Sequence, residues 1–432
     1  MTIKVNRFTI KKSFNVITLF KGELEMKSIR EIYRIGYGPS SSHTMGPQRA
    51  AEEFKKKHPG AASYLVELFG SLAATGKGHL TDKVIINTFA PITVKIAWKK
   101  ESLPLHPNGM IFKALDQDGA VSADWTVYST GGGAIRSKDD WHTPQPSIYP
   151  LTTMDDILQW KTDTGGNLWE FVELHEEKDI WSYLETVWDT MKDAIQNGLN
   201  NEGLLPGPLH LQRKAAGYKT QSVNSSRIIR EIGSLSSYAL AVAEENAGGG
   251  KIVTAPTCGS CGVVPATLYF LRESYDFPEQ RIIRALATAG LIGNLVKTGA
   301  SIAGAEVGCQ GEIGTACAMA AAAAAQLLGG TVSQIEYAAE MGIEHHLGLT
   351  CDPVEGYVQI PCIERNPAAA VRALHCASFA IFSDGGQRIS FDEVVRTMKE
   401  TGQDMQKAYK ETSKKGLAMH WLDSENKIKK VK

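Results

Sequence analysis

Three of the seven cysteines in this chain lie beside turn-forming residues rather than on an apolar helix face: Cys309, Cys351 and Cys362. Glycines closely flank the first, an Asp-Pro pair follows the second, and a proline precedes the third. These neighbours predict loops, where a thiol is better placed to bind a ligand than to fill a core. Thiolate sulfur is the usual protein ligand of iron–sulfur clusters, and a cluster that joins distant segments needs cysteines on tightly turned backbone.

The same cysteines also have a simpler interpretation. Free cysteine is among the most frequently buried residue types and behaves as a small hydrophobic side chain. Cys309 and Cys351 are 42 positions apart, and Cys351 and Cys362 are 11 apart, which is not the spacing of a compact ferredoxin or zinc finger. A separate C-x-x-C unit, Cys258 and Cys261, suits a redox dithiol or half of a zinc site, although no second such pair accompanies it.

A run of hydroxyl side chains and one histidine precedes a predicted helix: Ser40, Ser41, Ser42, His43 and Thr44. The helix is expected to begin near the proline at position 47, because proline is favoured in the first helical turn. Free N–H groups and the positive end of the dipole at a helix N-terminus attract anions, so the run suits a substrate carboxylate. A serine-rich run before a helix is also a common N-cap, and that alternative stays open.

The composition is that of an ordinary soluble globular protein, with 432 residues of which 43% are hydrophobic and 22% charged. The formal net charge of -1 leaves no global attraction for nucleic acid. The longest uninterrupted apolar run, 316–325, is too short to span a bilayer. An odd cysteine count without an apolar signal peptide argues against a secreted disulfide framework. We therefore expect a cytoplasmic protein that binds neither nucleic acid nor membrane.

The two halves of the chain have different periodicities. Between residues 64 and 134, runs rich in Val, Ile, Phe and Tyr at period two predict strands, among them VIINTFA at 84–90. His106 and Asn108 lie in a predicted Pro-Asn-Gly turn between two such runs, where a lone histidine is more often solvated than catalytic. From Leu168 onward, apolar residues at three-to-four spacing predict helices. The fold class is therefore α+β, with a small mixed α/β N-terminal domain packed on a mostly helical catalytic domain.

These changes of pattern divide the chain into five predicted segments: a basic extension that is either disordered or not translated (1–25), the mixed α/β domain (26–150), a linker (151–167), the helical domain (168–424) and a basic tail (425–432). The extension is set apart because Met26 starts a clear new element, with Ser28 in the N-cap position of a short helix.

Six motifs, taken in order, resemble the iron–sulfur-dependent L-serine dehydratases: GYGPSSSHTMGPQRA, LHPNGMIF, STGGGAI, TAPTCGSCGVVPA, GAEVGCQGEIGTACAMAAAA and HHLGLTCDPVEGYVQIPCIERN. The similarity runs from about Met26 to Leu422, with the β and α parts of the family fused in one chain. It implies a four-iron four-sulfur cluster held by Cys309, Cys351 and Cys362, one iron of which has no cysteine.

The resemblance also implies that the first domain closes over the cluster and supplies His43 and His106 as acid–base candidates. The residues implied to hold the substrate carboxylate and amino groups are Ser40, Ser41, Ser42, Thr44 and Asn108. Histidine suits proton transfer because its unperturbed pKa lies near working pH. An iron with an open position can bind the substrate hydroxyl while a base removes the Cα proton. L-Serine would then lose water and yield pyruvate and ammonia.

Other functions stay open at this point. One is a related iron–sulfur hydro-lyase that acts on another hydroxy acid, and another is a non-catalytic protein that senses serine or iron. A pyridoxal phosphate mechanism would need a lysine, for which Lys251 after three glycines is the only suggestive position. With L-serine as the substrate, the expected assembly is a homo-oligomer, namely a dimer.

Overall fold

The computed structural model describes residues 26–143 and 147–422 and has the α+β fold predicted from the sequence. The predicted extension, 1–25, and the basic tail, 425–432, lie outside the described residues. The strands of the first part are β1 (Ile35–Tyr37), β2 (Ser63–Phe69), β3 (Val94–Lys99), β4 (Gly109–Leu115), β5 (Val121–Gly131) and β6 (Ala134–Ser137). Its helices are α1 (Gly46–Lys57), α2 (Gly70–Thr75) and α3 (Thr81–Phe89).

Five of these strands form one sheet, in the order β3-β2-β4-β5-β6. Only β2 and β3 run parallel, and in this register Val66 of β2 lies opposite Ile96 of β3 and Phe112 of β4. Alternate residues of β2 are buried, as expected for a strand with one face on a core. Helices α1 and α3 add Phe54 and Phe89 to the same core.

The strand predicted at 84–90 is wrong, because this segment belongs to α3. Ile85 and Phe89, four positions apart, are both fully buried, as residues on one face of a helix are. Pro91 follows Ala90, and the residue before a proline disfavours helical backbone, so α3 ends there. Strand propensity is a weak preference that packing overrides, and here α3 packs against α1 and β3.

The remainder of the described chain is mostly helical. Its helices are α4 (Met154–Thr164), α5 (Leu168–His175), α6 (Ile180–Asn200), α7 (Ala215–Val223), α8 (Arg227–Ala247), α9 (Val263–Tyr275), α10 (Glu279–Gly299), α11 (Gly304–Val307), α12 (Thr315–Leu327), α13 (Val332–Glu344), α14 (Cys362–Phe382) and α15 (Phe391–Asp404). Its one strand, β7 (Lys251–Val253), pairs antiparallel with β1 and so joins the two parts. None of the helices within 26–143 and 147–422 has both the length and the apolar character that crossing a bilayer requires.

Helix α12 is the centre of the helical part. Nearly all of its residues are buried, and it packs against α9, α10, α13 and α14. Most of these residues are alanines, whose small side chains let neighbouring helices come close on every side. The turn that carries Cys309 leads directly into this helix, so the turn is anchored in well-packed structure.

The segment predicted as a linker, 151–167, contains the packed helix α4. Thr153 caps this helix by accepting a hydrogen bond from Asp156 N at 3.2 Å. Asp392 of α15 accepts a second bond from Met154 N at 3.0 Å, and the Met154 side chain is fully buried. This part of the predicted linker is therefore helical and belongs to the packed body of the protein.

Residues ahead of β1 pack into the helical core although they precede the sheet. Met26, Ile29, Ile32 and Tyr33 are fully buried there. The Tyr33 hydroxyl donates to Leu286 O in α10 at 2.8 Å. The first described residues thus tie the start of the chain to the helical part, and β1 then enters the mixed α/β part.

Gly342 lies where α13 comes close to α12. A Cβ atom at this position would lie 2.6 Å from Ala318 Cα. We expect Gly342→Ala to lower the free energy of unfolding by about 1–3 kcal/mol, because the two backbones would have to separate. Gly217→Ala in α7 is the matched control, since its Cβ would meet nothing within 4 Å. That control should keep or slightly raise the unfolding free energy. Urea unfolding followed by circular dichroism measures both, and equal effects would contradict the packing argument.

Candidate metal and substrate site

Cys309, Cys351 and Cys362 come from three separate segments and are all buried. Cys309 follows α11 and precedes a turn, Gln310–Gly314, that runs into α12. Cys351 lies in the loop after α13, and Cys362 is the first residue of α14. The loops predicted around the first two cysteines are confirmed, and the third thiol lies where a loop becomes a helix.

Gln310 holds the loops of Cys309 and Cys351 together. Its backbone N–H donates to Leu349 O at 3.2 Å, and its side-chain oxygen accepts from Gly348 N at 2.9 Å. The side-chain amide nitrogen donates to Val307 O at 2.9 Å. A buried amide with these partners fixes two chain segments that are about 40 residues apart in sequence.

Cys309, Cys351 and Glu312 form a thiol–carboxyl group. Glu312 Oε2 lies 3.6 Å from Cys309 Sγ and 3.9 Å from Cys351 Sγ. One possible ligand atom from each of the three residues lies within 4.8 Å of the other two. Sulfur and carboxylate ligands together suit a transition metal. Glu312 was not among the predicted ligands, although its place three residues after Cys309 is a signal that the sequence offers.

Cys362 is not a member of the thiol–carboxyl group, but its thiol faces the same region. Burial and then the negative charge of Cys309 raise the pKa of Cys362. The Arg365 guanidinium lies near all three thiols. Burial alone would lower the pKa of Arg365, but the charges of Cys309, Cys362 and Cys351 outweigh burial, so its pKa is raised. One half-buried positive charge therefore lies near the three predicted ligands.

Gly304 leaves room beside the thiols. A Cβ atom at this position would lie 2.8 Å from Glu312 Oε2 and 3.2 Å from Cys351 Sγ. A hydrogen bond with Cys309 and then burial raise the pKa of the Cys351 thiol, so a metal must displace a proton to bind there. Buried thiolates need positive charge nearby, which Arg365 supplies in part and a bound metal would supply in addition.

The hydroxyl run before α1 forms a buried turn. Residues Ser41–Met45 make one wide helical turn, and α1 begins at Gly46, which confirms the predicted helix start. Ser40 caps the turn, with its Oγ accepting from His43 N at 3.1 Å. Thr44 Oγ1 donates to the carbonyl oxygen of His79 at 2.7 Å. Ser40 and Thr44 therefore use their hydroxyls to shape the loop.

His43 is fully buried, and hydroxyls occupy both of its ring nitrogens. Its Nδ1 lies 2.8 Å from Ser42 Oγ, and its Nε2 lies 3.1 Å from Ser71 Oγ. Burial, and then the neighbouring His79, lower the pKa of His43. At neutral pH the ring is therefore neutral and can accept a proton.

His106 and Asn108 lie in the turn before β4, as predicted. The backbone N–H of Asn108 donates to His106 Nδ1 at 3.1 Å, so Nδ1 is an acceptor and Nε2 is the nitrogen that can donate. That nitrogen donates to Glu306 Oε1 at 3.1 Å. Both side-chain amide atoms of Asn108 are buried and have no hydrogen-bond partner within the described part of the chain.

The turn of His106 lies against Ser71, and Ser71 contacts His43. The backbone N–H of Ser71 donates to Pro107 O at 3.1 Å. Gly70, in front of it, has φ +56°, and a Cβ there would lie 2.3 Å from the same carbonyl oxygen. Glycine is needed at this position for both reasons, and the contact brings both predicted histidines into one region.

Glu411 connects the hydroxyl run with the thiols. Its Oε1 lies 3.4 Å from Ser42 Oγ and 3.5 Å from His43 Nδ1. Burial, and then the charge of Cys309, raise the pKa of Glu411 to about 8. Burial and then Glu411 raise the pKa of Glu312 to about 7. No pattern in the sequence marked Glu411, because it is 60 residues beyond Cys351 in a polar stretch.

The turn of the C-x-x-C pair lies beside Glu312, because a Cβ atom at Gly259 would lie 3.5 Å from Glu312 Oε1. Cys258 Sγ lies 3.8 Å from Met45 Sδ, and Cys261 Sγ lies 3.9 Å from Val242 O. Burial raises the pKa of both thiols. All seven cysteines are free.

A protein-family model described as "Serine dehydratase alpha chain" matches residues 49–418. The chain belongs to the serine dehydratase family. It is 40% identical to the L-serine dehydratase of Streptomyces coelicolor over 458 aligned positions, which cover 92% of this chain and 99% of that protein. L-Serine dehydratase 1 of Escherichia coli is 41% identical, covering 91% of this chain and 99% of its own length. The L-serine dehydratase of Helicobacter pylori is 36% identical over 90% of this chain. The family predicted from the six motifs is confirmed.

We expect Cys351→Ser to lose bound iron, because a serine hydroxyl replaces a thiolate in the thiol–carboxyl group. Cys376→Ser is the control, since Cys376 is a buried cysteine in α14 outside that group. Iron content and visible absorbance after anaerobic reconstitution measure the difference. Equal iron in the two variants would contradict the ligand role of Cys351.

Proposed function

We propose that this protein is an L-serine dehydratase, or L-serine ammonia-lyase, which eliminates water from L-serine to give pyruvate and ammonia. Relatives that match nearly the whole chain carry that name. The observation that carries the proposal is the position of Glu411. Its backbone N–H donates to Cys351 O at 2.7 Å while its carboxyl lies 3.5 Å from His43 Nδ1. This connection supports a single site lined by the candidate ligands and the candidate base.

The proposed cofactor is a four-iron four-sulfur cluster held by Cys309, Cys351 and Cys362. Thiolate is the preferred protein ligand for such a cluster, and three thiolates leave one iron without a cysteine. The space beside Gly304 and the positive charge of Arg365 support this assignment. When bound, the cluster would supply a Lewis acid for the departing hydroxyl.

Asn108 is the proposed centre of substrate binding. A buried amide that lacks partners is costly, so its Nδ2 and Oδ1 atoms are free to bond the carboxylate and amino groups of L-serine. The hydroxyls of Ser41 and Ser42, in the buried turn before α1, are the further groups proposed to bind the substrate. Ser40 and Thr44 support them by shaping the turn.

The proposed base is His43, and His106 has a different task. His106 Nδ1 already accepts the backbone N–H of Asn108, so this ring offers Nε2–H as a donor and orients the turn that carries Asn108. His43 is neutral and contacts Glu411, which is bonded to the loop of Cys351, and it can take the Cα proton of the substrate. Loss of water leaves aminoacrylate, which rearranges to an imine and hydrolyses to pyruvate and ammonia.

The decisive experiment is an anaerobic assay of the reconstituted protein. We expect pyruvate and ammonia in equal amounts from L-serine, and little product from L-threonine or L-malate. Turnover of L-malate in preference to L-serine would instead indicate a related hydro-lyase. Tight binding of L-serine without product would indicate a sensor. An aldimine absorbance band in the purified protein would overturn the cluster.

We expect Asn108→Ala to raise KM for L-serine by about 10-fold or more, because each lost hydrogen bond to a charged group is worth about 1.5–3 kcal/mol. Asn87→Ala, an exposed asparagine of α3, is the matched control and should leave KM unchanged. Steady-state kinetics measures both. An unchanged KM in Asn108→Ala would refute the binding role.

Two further proposals concern the state of the protein in the cell. Seven free cysteines support a reducing, cytoplasmic location. The homodimer stays a prediction, and light scattering after gel filtration is the measurement that tests it.

A further inference from the structure

The C-terminal strap, residues 405–422, follows α15 and is bonded along the loop of Cys351. The backbone N–H of Cys351 donates to Tyr409 O at 2.8 Å, and the N–H of Glu411 donates to Cys351 O at 2.7 Å. Two further hydrogen bonds join the same segments: Ser413 Oγ to Pro353 O at 2.5 Å and Leu417 N to Asp352 Oδ2 at 2.7 Å. The position of Glu411 is therefore fixed relative to the thiol of Cys351.

The carbonyl oxygen of Glu411 determines where the neutral His43 ring carries its proton. Ser71 Oγ donates to that carbonyl at 3.1 Å. A hydroxyl has one hydrogen to donate, so Ser71 must accept from His43 Nε2, which lies 3.1 Å away. The proton of the neutral ring is thus on Nε2, and the lone pair on Nδ1 points to Ser42 Oγ at 2.8 Å. Ser42 also has one hydrogen, which we assign to the contact with Nδ1 because Glu411 Oε1 is further away, at 3.4 Å.

The carboxyl group of Glu411 lies at the other side of the ring. Its Oε1 is 3.4 Å from Ser42 Oγ and 3.5 Å from His43 Nδ1. A carboxyl oxygen at this place can accept a hydrogen bond from the ring once Nδ1 carries a proton. One residue of the strap thus contacts His43 on both sides, through Ser71 at Nε2 and directly or through Ser42 at Nδ1.

We infer that Glu411 is a positioning residue for proton removal and that Ser42 is the group through which the proton reaches His43. This inference rests on the proposed dehydration of L-serine. His43 is fully buried with both nitrogens bonded to hydroxyls, so the proton enters through Ser42 Oγ. Ser42 passes its hydroxyl proton to His43 Nδ1 and takes the Cα proton of the substrate. The electron pair left on Cα forms the bond to Cβ. The proton held on the ring returns through Ser42 Oγ to the departing hydroxide, which leaves as water.

The variant that tests this role is Glu411→Ala, because it keeps both backbone hydrogen bonds of residue 411 and removes only the carboxyl. We expect kcat to fall by about 10- to 100-fold with little change in KM. Glu411→Gln keeps an oxygen at the same place and should recover part of the loss. The strain of the left-handed backbone, with φ 54° at Glu411, is common to both variants. Glu400→Gln, an exposed carboxyl of α15, is the control.

Three measurements separate positioning from a general structural role. The kinetic isotope effect with L-serine deuterated at Cα should rise in Glu411→Ala, because proton removal becomes slower relative to other steps. The double variant Ser42→Ala/Glu411→Ala should be no slower than the slower single variant, since both act on one proton path. In Glu411→Ala alone, iron content and the calorimetric affinity for L-alanine, which lacks the hydroxyl, should stay at the wild-type level.

Specific results would overturn the inference. Loss of iron or of L-alanine binding in Glu411→Ala would show that the strap only holds the loop of Cys351. Additive effects of the Ser42 and Glu411 changes would show two independent roles. If Glu411→Ala does not fold, Ser71→Ala is tested in its place. An unchanged isotope effect in Ser71→Ala would refute the claim that Glu411 sets the position of the His43 proton through Ser71. Wild-type protein that makes no pyruvate from L-serine would instead refute the proposed function itself.

Discussion

Removal of acidic side chains from water, beside several thiols, is the constraint on which the site depends. Burial raises the pKa of Glu312 to about 7 and that of Glu411 to about 8. Several negative charges in one low-dielectric space repel each other, so they need a cation or must stay protonated. Arg365 provides one positive charge near the three thiols. A bound metal would provide more and would also deprotonate its thiol ligands. The need of the site for a bound cation therefore follows from the number of acidic groups that are buried together in it.

These acidic groups can lie close together because the backbones that carry them approach closely. Alanine side chains along α12 and Gly342 on α13 bring neighbouring helices together, and the turn of Cys309 continues into α12. Gly304 and Gly70 leave space where any side chain would meet a thiol, a carboxyl or a carbonyl oxygen. A rigid helical body thus holds one side of the site, and the mixed α/β part supplies the hydroxyls and histidines from the other side. The strap contacts the helical body through Cys351 and the mixed α/β part through Ser71, and it fixes their relative position.

Much of this arrangement could be predicted from local patterns, and the failures have clear physical reasons. The helix after the hydroxyl run was predictable because Pro47 marks its first turn. Segment 84–90 was predicted as a strand from its β-branched residues, but burial of Ile85 and Phe89 on one face makes it helical. The predicted linker, 151–167, carries a helix because Asp392, distant in sequence, accepts hydrogen bonds from its first turn.

The sequence by itself determined the family, the α+β fold class and the cysteines and histidines that are candidates for the chemistry. These follow from short contiguous motifs, because the residues that identify each motif are adjacent in the sequence. Only the tertiary structure decided that Glu411 lies between Ser42 and the loop of Cys351, and that the backbone N–H of Asn108 donates to His106 Nδ1. The roles of carboxyl groups and ring nitrogens depend on contacts between segments far apart in the chain. Such contacts leave no local pattern, because burial and hydrogen bonding arise only once the helical body, the sheet and the strap have packed together.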